Sequence, residues 1–449
     1  MDQQQAFEQV TVVGGGLAGS ECALSLAARG VPVKLIEMRP VRTSPAHKTG
    51  DLAELVCSNS LKSTRVDSAA GLLKAELDLM GSKLLPLAKA SAVPAGGALA
   101  VDREAFAQAV TQAIEESTLI ELVRQEVTEI PQGPVVIAAG PLCSEALFVS
   151  VQALLAESGA AEALSFFDAA APIVDASTID REVVFTQSRY GEAEVGDYLN
   201  CPMNQEEYEA FIHELVNAKR VVQKDFEQKD LFRACQPVEE VARTGLDSLR
   251  FGALKPVGLT DPRTGRRPWA AVQLRAENRE GTAYNLVGFQ TNLTWPEQRR
   301  VFSMIPGLAQ AEFFRYGVMH RNTFIDSPKA LDETFAVPTR SQVRFAGQIC
   351  GTEGYTEAIA SGLLAALNTY AALTGAPKVE LPATGALGSL VAYATNPNTV
   401  DYQPMHVNFG LVPPLEGPRL KKKERYQAYA DRALKDMKNY IQSRPDLLF

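Results

Sequence analysis

Several patterns that mark particular protein classes are missing from this chain of 449 residues. No two of its six cysteines are spaced C-x-x-C, which argues against zinc knuckles and dithiol redox sites. Six cysteines at this length also do not form a secreted disulfide framework. No uncharged apolar run reaches about 18 residues, and the N-terminus MDQQQAFEQV lacks a basic segment followed by an apolar one. We therefore expect a cytoplasmic protein without a membrane segment and without a bound metal.

The charge of the chain is unevenly distributed. The net charge of −9 argues against a general affinity for nucleic acid. Residues 243–279, however, contain eight Lys or Arg and only three Asp or Glu, and a second basic group lies at 421–425. Each group is either a surface for an anionic partner or a solvated charged face, and the sequence leaves both open.

The N-terminal residues predict a dinucleotide-binding βαβ unit. A β-branched strand at residues 10–13 precedes a glycine-rich turn, a helical segment ends near Gly30, and a second buried strand ends at Glu37. The turn consists of Gly14, Gly15, Gly16, Leu17, Ala18 and Gly19. Its glycines let the backbone approach a pyrophosphate at the positive end of the helix, and Glu37 can accept ribose hydroxyls. Because Glu37 would repel a 2′-phosphate, we expect FAD or NAD as the resident nucleotide.

A second glycine-bearing turn near the C-terminus favours FAD over NAD. Residues 343–368 predict a strand, a turn with Gly347, Gly351 and Gly354, and a helix of small residues. In two-part flavoprotein folds the start of such a helix can stabilise the negative charge of reduced flavin. Residues 135–140 (VVIAAG) resemble the strand and turn that close the first part of the same fold. An ordinary helix start would give the same glycine pattern.

These segments predict an α/β fold in which a discontinuous FAD-binding, Rossmann-like domain of the glutathione-reductase type carries an inserted α+β domain. We place the FAD-binding parts at residues 1–164 and 331–449, and the insertion at 165–330. The insertion has strand-like runs (REVVFTQ, AAVQLRAE and AYNLVGF) and a helical segment at about 206–224. The tail becomes helical near Lys421, with Tyr426, Ala430 and Leu434 on one face.

Several long motifs resemble those of the folate- and FAD-dependent tRNA uracil-5-methyltransferases, and the resemblance covers essentially the whole chain. They are GGGLAGSE, ELVCSNSLKS, RACQPVEEVARTG, RFGALKPVGLTDPRTGRRP, YNLVGFQTNLTW, FRYGVMHRNTFIDSP and AGQICGTEGYTEAIASG. The resemblance implies methylation of C5 of the T-loop uridine at position 54 of tRNA. It further implies FAD as bridging cofactor, methylenetetrahydrofolate as carbon donor and NADPH or NADH as reductant.

Three alternatives remain open. A branch of this family modifies a uridine of large-subunit ribosomal RNA, and the motifs do not separate the two substrates. A flavin oxidoreductase acting on a small molecule would leave the basic stretch as mere surface. A partner-dependent RNA-modification protein would resemble the larger flavoprotein relatives that work with a GTPase, but we expect no obligate protein partner here.

Two cysteines are the candidate catalytic residues. Uracil C5 becomes nucleophilic when a thiolate adds to C6, and nearby cations or a helix N-terminus favour the thiolate. Cys57 is followed by the possible helix caps Ser58, Asn59 and Ser60 and by the cations Lys62 and Arg65, whereas Cys235 lies beside Arg233 and the basic stretch. By resemblance both cysteines are functional. Cys235 is favoured as the C6 nucleophile and Cys57 as a second thiol at the flavin, although the order stays open. We expect Cys22, Cys143, Cys201 and Cys350 to be structural.

The resemblance also implies roles for four other side chains. His320 would stack on the folate pterin, with Arg321 beside it as a substrate-binding residue, and Tyr355 would contact the flavin. Lys255 in the basic stretch would meet RNA phosphates, which position a substrate without specifying its sequence. With only four histidines in the chain, composition alone would make His320 an ordinary structural residue.

Overall fold

The first sheet of the protein has six strands in the order β16-β17-β7-β1-β2-β6. The computed structural model describes residues 7–44, 46–157, 163–169, 171–189, 196–221, 236–317, 319–399, 402–418 and 420–448. The strands are β1 (Val10–Val13), β2 (Val33–Glu37), β6 (Ile120–Arg124), β7 (Val135–Ile137), β16 (Ala336–Val337) and β17 (Arg340–Phe345). All neighbouring pairs are parallel except β16 with β17. The α/β class predicted from the sequence is confirmed.

Helices surround this sheet. They are α1 (Leu17–Ala27), α2 (Ala69–Leu79), α3 (Leu84–Ala90), α4 (Arg103–Glu115), α5 (Glu145–Glu157), α11 (Tyr355–Thr374), α12 (Ala386–Ala394) and α13 (Lys422–Ser443). A small antiparallel sheet of β3 (Ser60–Ser63), β5 (Ala98–Val101) and β4 (Ala92–Val93) lies in the same part of the chain. Among the described helices, none is long and apolar enough to cross a membrane.

A second six-stranded sheet is antiparallel, in the order β10-β11-β12-β13-β9-β14. Its strands are β9 (Ile173–Asp175), β10 (Phe185–Thr186), β11 (Tyr198–Met203), β12 (Ala270–Ala276), β13 (Ala283–Leu286) and β14 (Phe313–Arg315). The helices in this region are α6 (Gln205–Asn217), α7 (Val238–Arg243), α8 (Ser248–Phe251) and α9 (Trp295–Phe302). A short helix, α10 (Ser327–Ala330), packs instead in the core of the first sheet region, where Ala330 is buried. Two further strands, β8 (Ala163–Ala169) and β15 (Met319–Ile325), pair with each other where the chain passes between the two sheets. The domain boundaries at 164 and 330 stay a prediction.

Local details depart from the sequence predictions in three places. The helix expected over 206–224 ends at Asn217, because the following backbone pairs with residues 292–294 instead. The strand expected within REVVFTQ is confined to Phe185–Thr186. The buried face of α13 consists of Tyr429, Ala430, Ala433 and Met437. Of the three residues expected on that face, Ala430 is buried, whereas Tyr426 and Leu434 are only half-buried.

Helices α1 and α11 approach each other closely because the contact residues are small. A Cβ atom on Gly362 would lie 2.2 Å from the carbonyl oxygen of Ala18. One on Gly347, in the turn before α11, would lie 3.1 Å from the Ala18 methyl group. The two glycine-rich turns are therefore brought to the same edge of the first sheet, where strands β1 and β17 end.

Candidate functional site

A cavity of about 360 Å³ lies at the carboxyl ends of the parallel strands. This edge is where open α/β sheets bind their ligands. Residues at the carboxyl ends of four strands line it: Gly14 directly after β1, Ala138 directly after β7, Gly347 two residues after β17, and Glu37 at the end of β2. The predicted residues Gly16, Leu17, Ala18, Cys57, Gly354 and Tyr355 also line this cavity. The two predicted halves of the cofactor site therefore meet in one place.

The first glycine turn forms a cradle that fits a pyrophosphate. Gly14 has φ +103°, and a Cβ there would lie 2.6 Å from the Ala138 carbonyl oxygen, while one on Gly19 would strike the Gly14 carbonyl. A Cβ on Gly16, in contrast, would meet nothing within 4 Å. Gly16 is also the N-cap of α1 and offers no side-chain cap. The uncapped N–H groups at the start of α1 can therefore hold phosphate oxygens.

Glu37 is a buried carboxylate with a fixed orientation. Its Oε2 accepts the Gly15 N–H at 2.7 Å, and its Oε1 accepts the backbone N–H and Nε of Arg39 at 3.0 and 2.8 Å. Burial raises the pKa of Glu37, but the Arg39 guanidinium and the three hydrogen bonds outweigh that effect and lower it. Oε1 already accepts two hydrogen bonds, whereas Oε2 accepts one and keeps a lone pair for a ribose hydroxyl, so the residues present fit FAD.

The C-terminal turn connects the cofactor cavity to Cys57. Helix α11 begins at Tyr355, and the Tyr355 hydroxyl oxygen accepts the backbone N–H groups of Cys57 and Ser58 at 2.8 and 3.1 Å. Burial raises the pKa of Tyr355 well above its ordinary value, so the phenol stays protonated. The thiol segment is therefore held against the start of α11.

The electrostatic surroundings of Cys57 differ from the sequence expectation. No helix begins after Cys57, because residues 60–63 form β3 instead, and the possible caps have no helix to cap. The nearby cations are also engaged elsewhere, since Lys62 pairs with Glu357 and Arg65 with Asp67.

Two arginines from distant parts of the sequence lie at Cys57 instead. Arg103 donates to the carbonyl oxygens of Leu55 and Cys57 at 2.6 and 3.4 Å, and Arg315 donates to the Val56 carbonyl at 2.7 Å. Sequence reasoning missed both residues, because neither stands in a motif near the cysteine.

The second sheet region reaches the cavity through Gln290. Among the residues from 171 to 317 that the structure describes, Gln290 alone lines the cavity. Its carbonyl oxygen accepts the Val238 N–H at 2.7 Å, at the start of α7. Next to it, the buried carboxylate of Glu239 accepts the Asn292 N–H and the Thr291 hydroxyl at 2.7 and 2.9 Å. The segment that follows Cys235 is thus tied to a residue of the cavity wall.

The remaining predicted residues lie apart from the cavity or outside the described residues. Gly351 has φ +82° and faces the Tyr402 hydroxyl, and Lys255 lies in the turn after α8; neither lines the cavity. The backbones of His320 and Arg321 belong to β15, opposite Asp168 and Phe167, but their side chains lie outside the described part. Cys235 also lies outside it.

The other described cysteines are in surroundings that disfavour a thiolate. Burial raises the pKa of Cys143 to about 11 and that of Cys350 to about 12. Burial also raises the pKa values of Cys22 and Cys201 far above the ordinary range. Such thiols are poor nucleophiles at neutral pH, which agrees with the structural role expected for them.

Comparison with known proteins relates the chain to named enzymes. A family model of glucose inhibited division protein A matches residues 9–377. The methylenetetrahydrofolate--tRNA-(uracil-5-)-methyltransferase TrmFO of Geobacter sulfurreducens is 54% identical over 433 residues, which cover 96% of this chain and 98% of that protein. The enzyme of the same name from Natranaerobius thermophilus is 53% identical over 437 residues, which cover 97% and 100%.

Solved structures support the same fold at low sequence identity. Two crystal forms of Aquifex aeolicus GidA superpose with TM-scores of 0.68 and 0.69 at 15% identity. They cover 99% and 97% of this chain and about three quarters of the GidA chain, at 75% and 76%. The chain therefore belongs to the glucose inhibited division protein A family and, within it, to the methylenetetrahydrofolate--tRNA-(uracil-5-)-methyltransferases.

Proposed function

We propose that the protein methylates C5 of the T-loop uridine at position 54 of tRNA, with FAD as cofactor, methylenetetrahydrofolate as carbon donor and NADPH or NADH as reductant. The observation that carries this proposal is that Cys57 lines the same cavity as the dinucleotide-binding turn. A thiol at a flavin site has a use in uracil chemistry, because addition of a thiolate to C6 makes C5 nucleophilic. The full-length identity to enzymes of that name favours this function over the alternatives.

FAD, when bound, would supply the transfer of electrons and of the one-carbon unit between folate and RNA. The chain would hold it through the Gly14–Gly19 turn at the pyrophosphate, through Glu37 at the ribose and through the start of α11 near Tyr355. A helix N-terminus favours negative charge, so α11 would stabilise an anionic group placed against it. The buried wall of the cavity would keep water from the reacting atoms.

The two cysteines would have different roles in the reaction at the uracil base. Cys235 would add to C6 as a thiolate, which places negative charge on the O4 side of the ring and makes C5 the nucleophile. Once C5 has gained its carbon, a base removes the C5 proton and the thiolate leaves C6. Cys57, held by Tyr355 at the cavity, would serve as the second thiol at the flavin. Val238 and Glu239, in the described segment that follows Cys235 in the sequence, are anchored to residues 290–292, and Gln290 lines the cavity.

Substrate binding would involve residues outside the cavity as well. His320 would contact folate, Arg321 would be a substrate-binding residue beside it, and Lys255 with the basic stretch would contact RNA phosphates. A T-loop base is normally engaged in tertiary pairing, so the enzyme must displace it to reach C5. NADPH or NADH would approach the same face of the flavin as folate, because the chain has no second G-x-G-x-x-G turn.

The direct test is a reaction with defined RNA. Purified holoprotein, methylenetetrahydrofolate and NADPH are incubated with an unmodified tRNA transcript, and nucleoside mass spectrometry measures 5-methyluridine. We expect one 5-methyluridine per tRNA and none in a transcript with cytidine at the target position. Product on a fragment of large-subunit ribosomal RNA, with none on tRNA, would overturn the proposed substrate. Cys235→Ala should keep its flavin absorbance and lose methylation; full activity would remove Cys235 from the mechanism.

A further inference from the structure

The backbone on the N-terminal side of the Cys57 thiol is held by two guanidinium groups. Arg103 stands first in α4, and Arg315 stands last in β14 of the second sheet. Together they bond to the carbonyl oxygens of three successive residues, Leu55, Val56 and Cys57. Both guanidinium groups therefore contact the backbone at Cys57, a residue that lines the cofactor cavity.

Carboxylates balance the positive charges at this point only in part. Arg103 pairs with Glu277, with a further contact of 3.3 Å, whereas in the described part of the chain no carboxylate pairs with Arg315. A half-buried guanidinium without a carboxylate is stabilised when another anion lies close to it. Lys48 lies close enough to both arginines that their charges, together with burial, lower its pKa, while Glu54 opposes that change; the three basic groups therefore share two carboxylates, Glu277 and Glu54. The surroundings therefore favour an anion at this end of the cavity.

The Cys57 thiol interacts electrostatically with both guanidiniums. Burial acts to lower the pKa of Arg103, but Glu277, Tyr355 and Cys57 outweigh it and raise the pKa. For Arg315 burial and the neighbouring Arg103 charge lower the pKa, while Tyr355, Cys57 and Glu277 oppose that change. Coulomb interactions are reciprocal, so each cation also favours the negative form of the thiol.

We propose that Arg103 and Arg315 are positioning residues that hold the Cys57 segment at the cavity and stabilise its side chain as a thiolate. This inference rests on the proposed function, because it gives Cys57 a part in the reaction. It also connects the second sheet to the thiol, since Arg315 belongs to β14 and the partner of Arg103, Glu277, directly follows β12.

The test measures the reactivity of Cys57 alone. Holoprotein without RNA or folate is labelled with iodoacetamide from about pH 6 to about pH 9.5, and mass spectrometry follows the peptide that contains Cys57. In Arg315→Met and Arg103→Met we expect labelling at pH 7 to be about five- to ten-fold slower, with the same plateau at high pH. Arg315→Lys, which keeps the charge, should stay within about twofold of the wild type.

The control is Arg340→Met. Arg340 also donates from a guanidinium to a backbone carbonyl, that of Pro131 at 3.1 Å, but it lies in β17 away from Cys57. Its labelling curve should coincide with that of the wild type.

The outcomes separate charge from simple support. If the pH dependence of Cys57 labelling is unchanged in both Met variants, the inference is overturned. It is also overturned if labelling slows by the same factor at every pH, because such a change reflects the accessibility of the thiol and not its ionisation. If a Met variant loses its flavin, Arg315→Lys and Arg103→Lys, which keep the charge, replace the Met variants. A tenfold slower labelling of Cys57 at pH 7 in both Lys variants would contradict a role of the charge. Failure of the proposed function would appear differently, as unmodified tRNA with a normal labelling curve.

Discussion

At the scale of single residues, the cofactor site depends on side chains that hold backbone rather than on many direct ligands. Glu37→Ala removes the acceptor of the Gly15 N–H and one of the two carboxylates that pair with Arg39, whose side chain is only 2% exposed; Glu54 is the other. Leaving a buried donor without its acceptor and a buried cation with one partner fewer costs about 1–3 kcal/mol. We expect Glu37→Ala to lose most of its bound FAD, measured as flavin per protein after gel filtration. Glu121→Ala, on the exposed part of β6, is the control and should keep its FAD.

Tyr355 provides a second test at this scale. Tyr355→Phe keeps the ring in the cavity wall but leaves the N–H groups of Cys57 and Ser58 without their acceptor. Two lost bonds cost about 1–3 kcal/mol. If that cost falls on the transition state because Cys57 is displaced, kcat should fall by about five- to 150-fold. FAD content should stay near the wild-type value. A variant with wild-type kcat would show that this contact does not set the position of Cys57.

At the scale of elements, the contact between α1 and α11 holds the two glycine-rich turns next to each other at the cavity. Replacing glycine by alanine inside an exposed helix raises the free energy of unfolding by about 1 kcal/mol. At Gly362 packing has the opposite effect and decides whether the substitution stabilises or destabilises the protein. A Cβ at 2.2 Å from the Ala18 carbonyl must push the helices apart, and Gly362→Ala should lower the free energy of unfolding by about 1–3 kcal/mol. Urea denaturation measures the change in the free energy of unfolding. Ala372→Gly, at an exposed position of α11, is the control that reports helix propensity without packing. Increased stability in Gly362→Ala would contradict this packing argument.

The elements also show what the sequence could predict. The β1–α1–β2 unit and the turn before α11 were predictable because the periodicity, the glycines and Glu37 lie within short segments. The setting of Cys57 was not, because residues 60–63 pair with β5 instead of starting a helix. Arg315 is more than 250 residues from the Val56 carbonyl that it contacts, and no local pattern marks such a contact. The same holds for Gln290, which reaches the cavity from the second sheet region only in the folded chain.

At the scale of the whole molecule, each sheet region contains a buried carboxyl group with a raised pKa. Glu76 in α2 accepts the N–H groups of Ala386 and Leu387 at 2.7 and 3.0 Å, and burial raises its pKa to about 7. Glu239 in α7 accepts the Asn292 N–H, and burial likewise raises its pKa to about 7. In the unfolded chain both groups ionise near the ordinary value of 4.5. Folding therefore favours their protonated form.

The sign of the pH dependence follows from these shifts. A carboxyl group whose pKa is higher in the folded state stabilises the protein fully below about pH 4.5, and this contribution is lost as the pH rises to about 7. Each pH unit in that window costs about 1.4 kcal/mol per group, or up to about 3 kcal/mol for each carboxyl. The holoprotein should thus melt at a lower temperature at pH 7.5 than at pH 5.

Glutamine variants assign that loss to the two groups. Glu76→Gln and Glu239→Gln keep an oxygen acceptor but cannot ionise, so each should melt with a smaller difference between pH 5 and pH 7.5 than the wild type. Because the groups belong to different sheet regions, the double variant should show the sum of the two reductions. Comparing variant with wild type cancels the titration of other groups, including His406, whose pKa burial lowers. Scanning calorimetry at both pH values measures the effect, and a pH dependence that neither substitution changes would show that both carboxyls ionise normally in the folded protein.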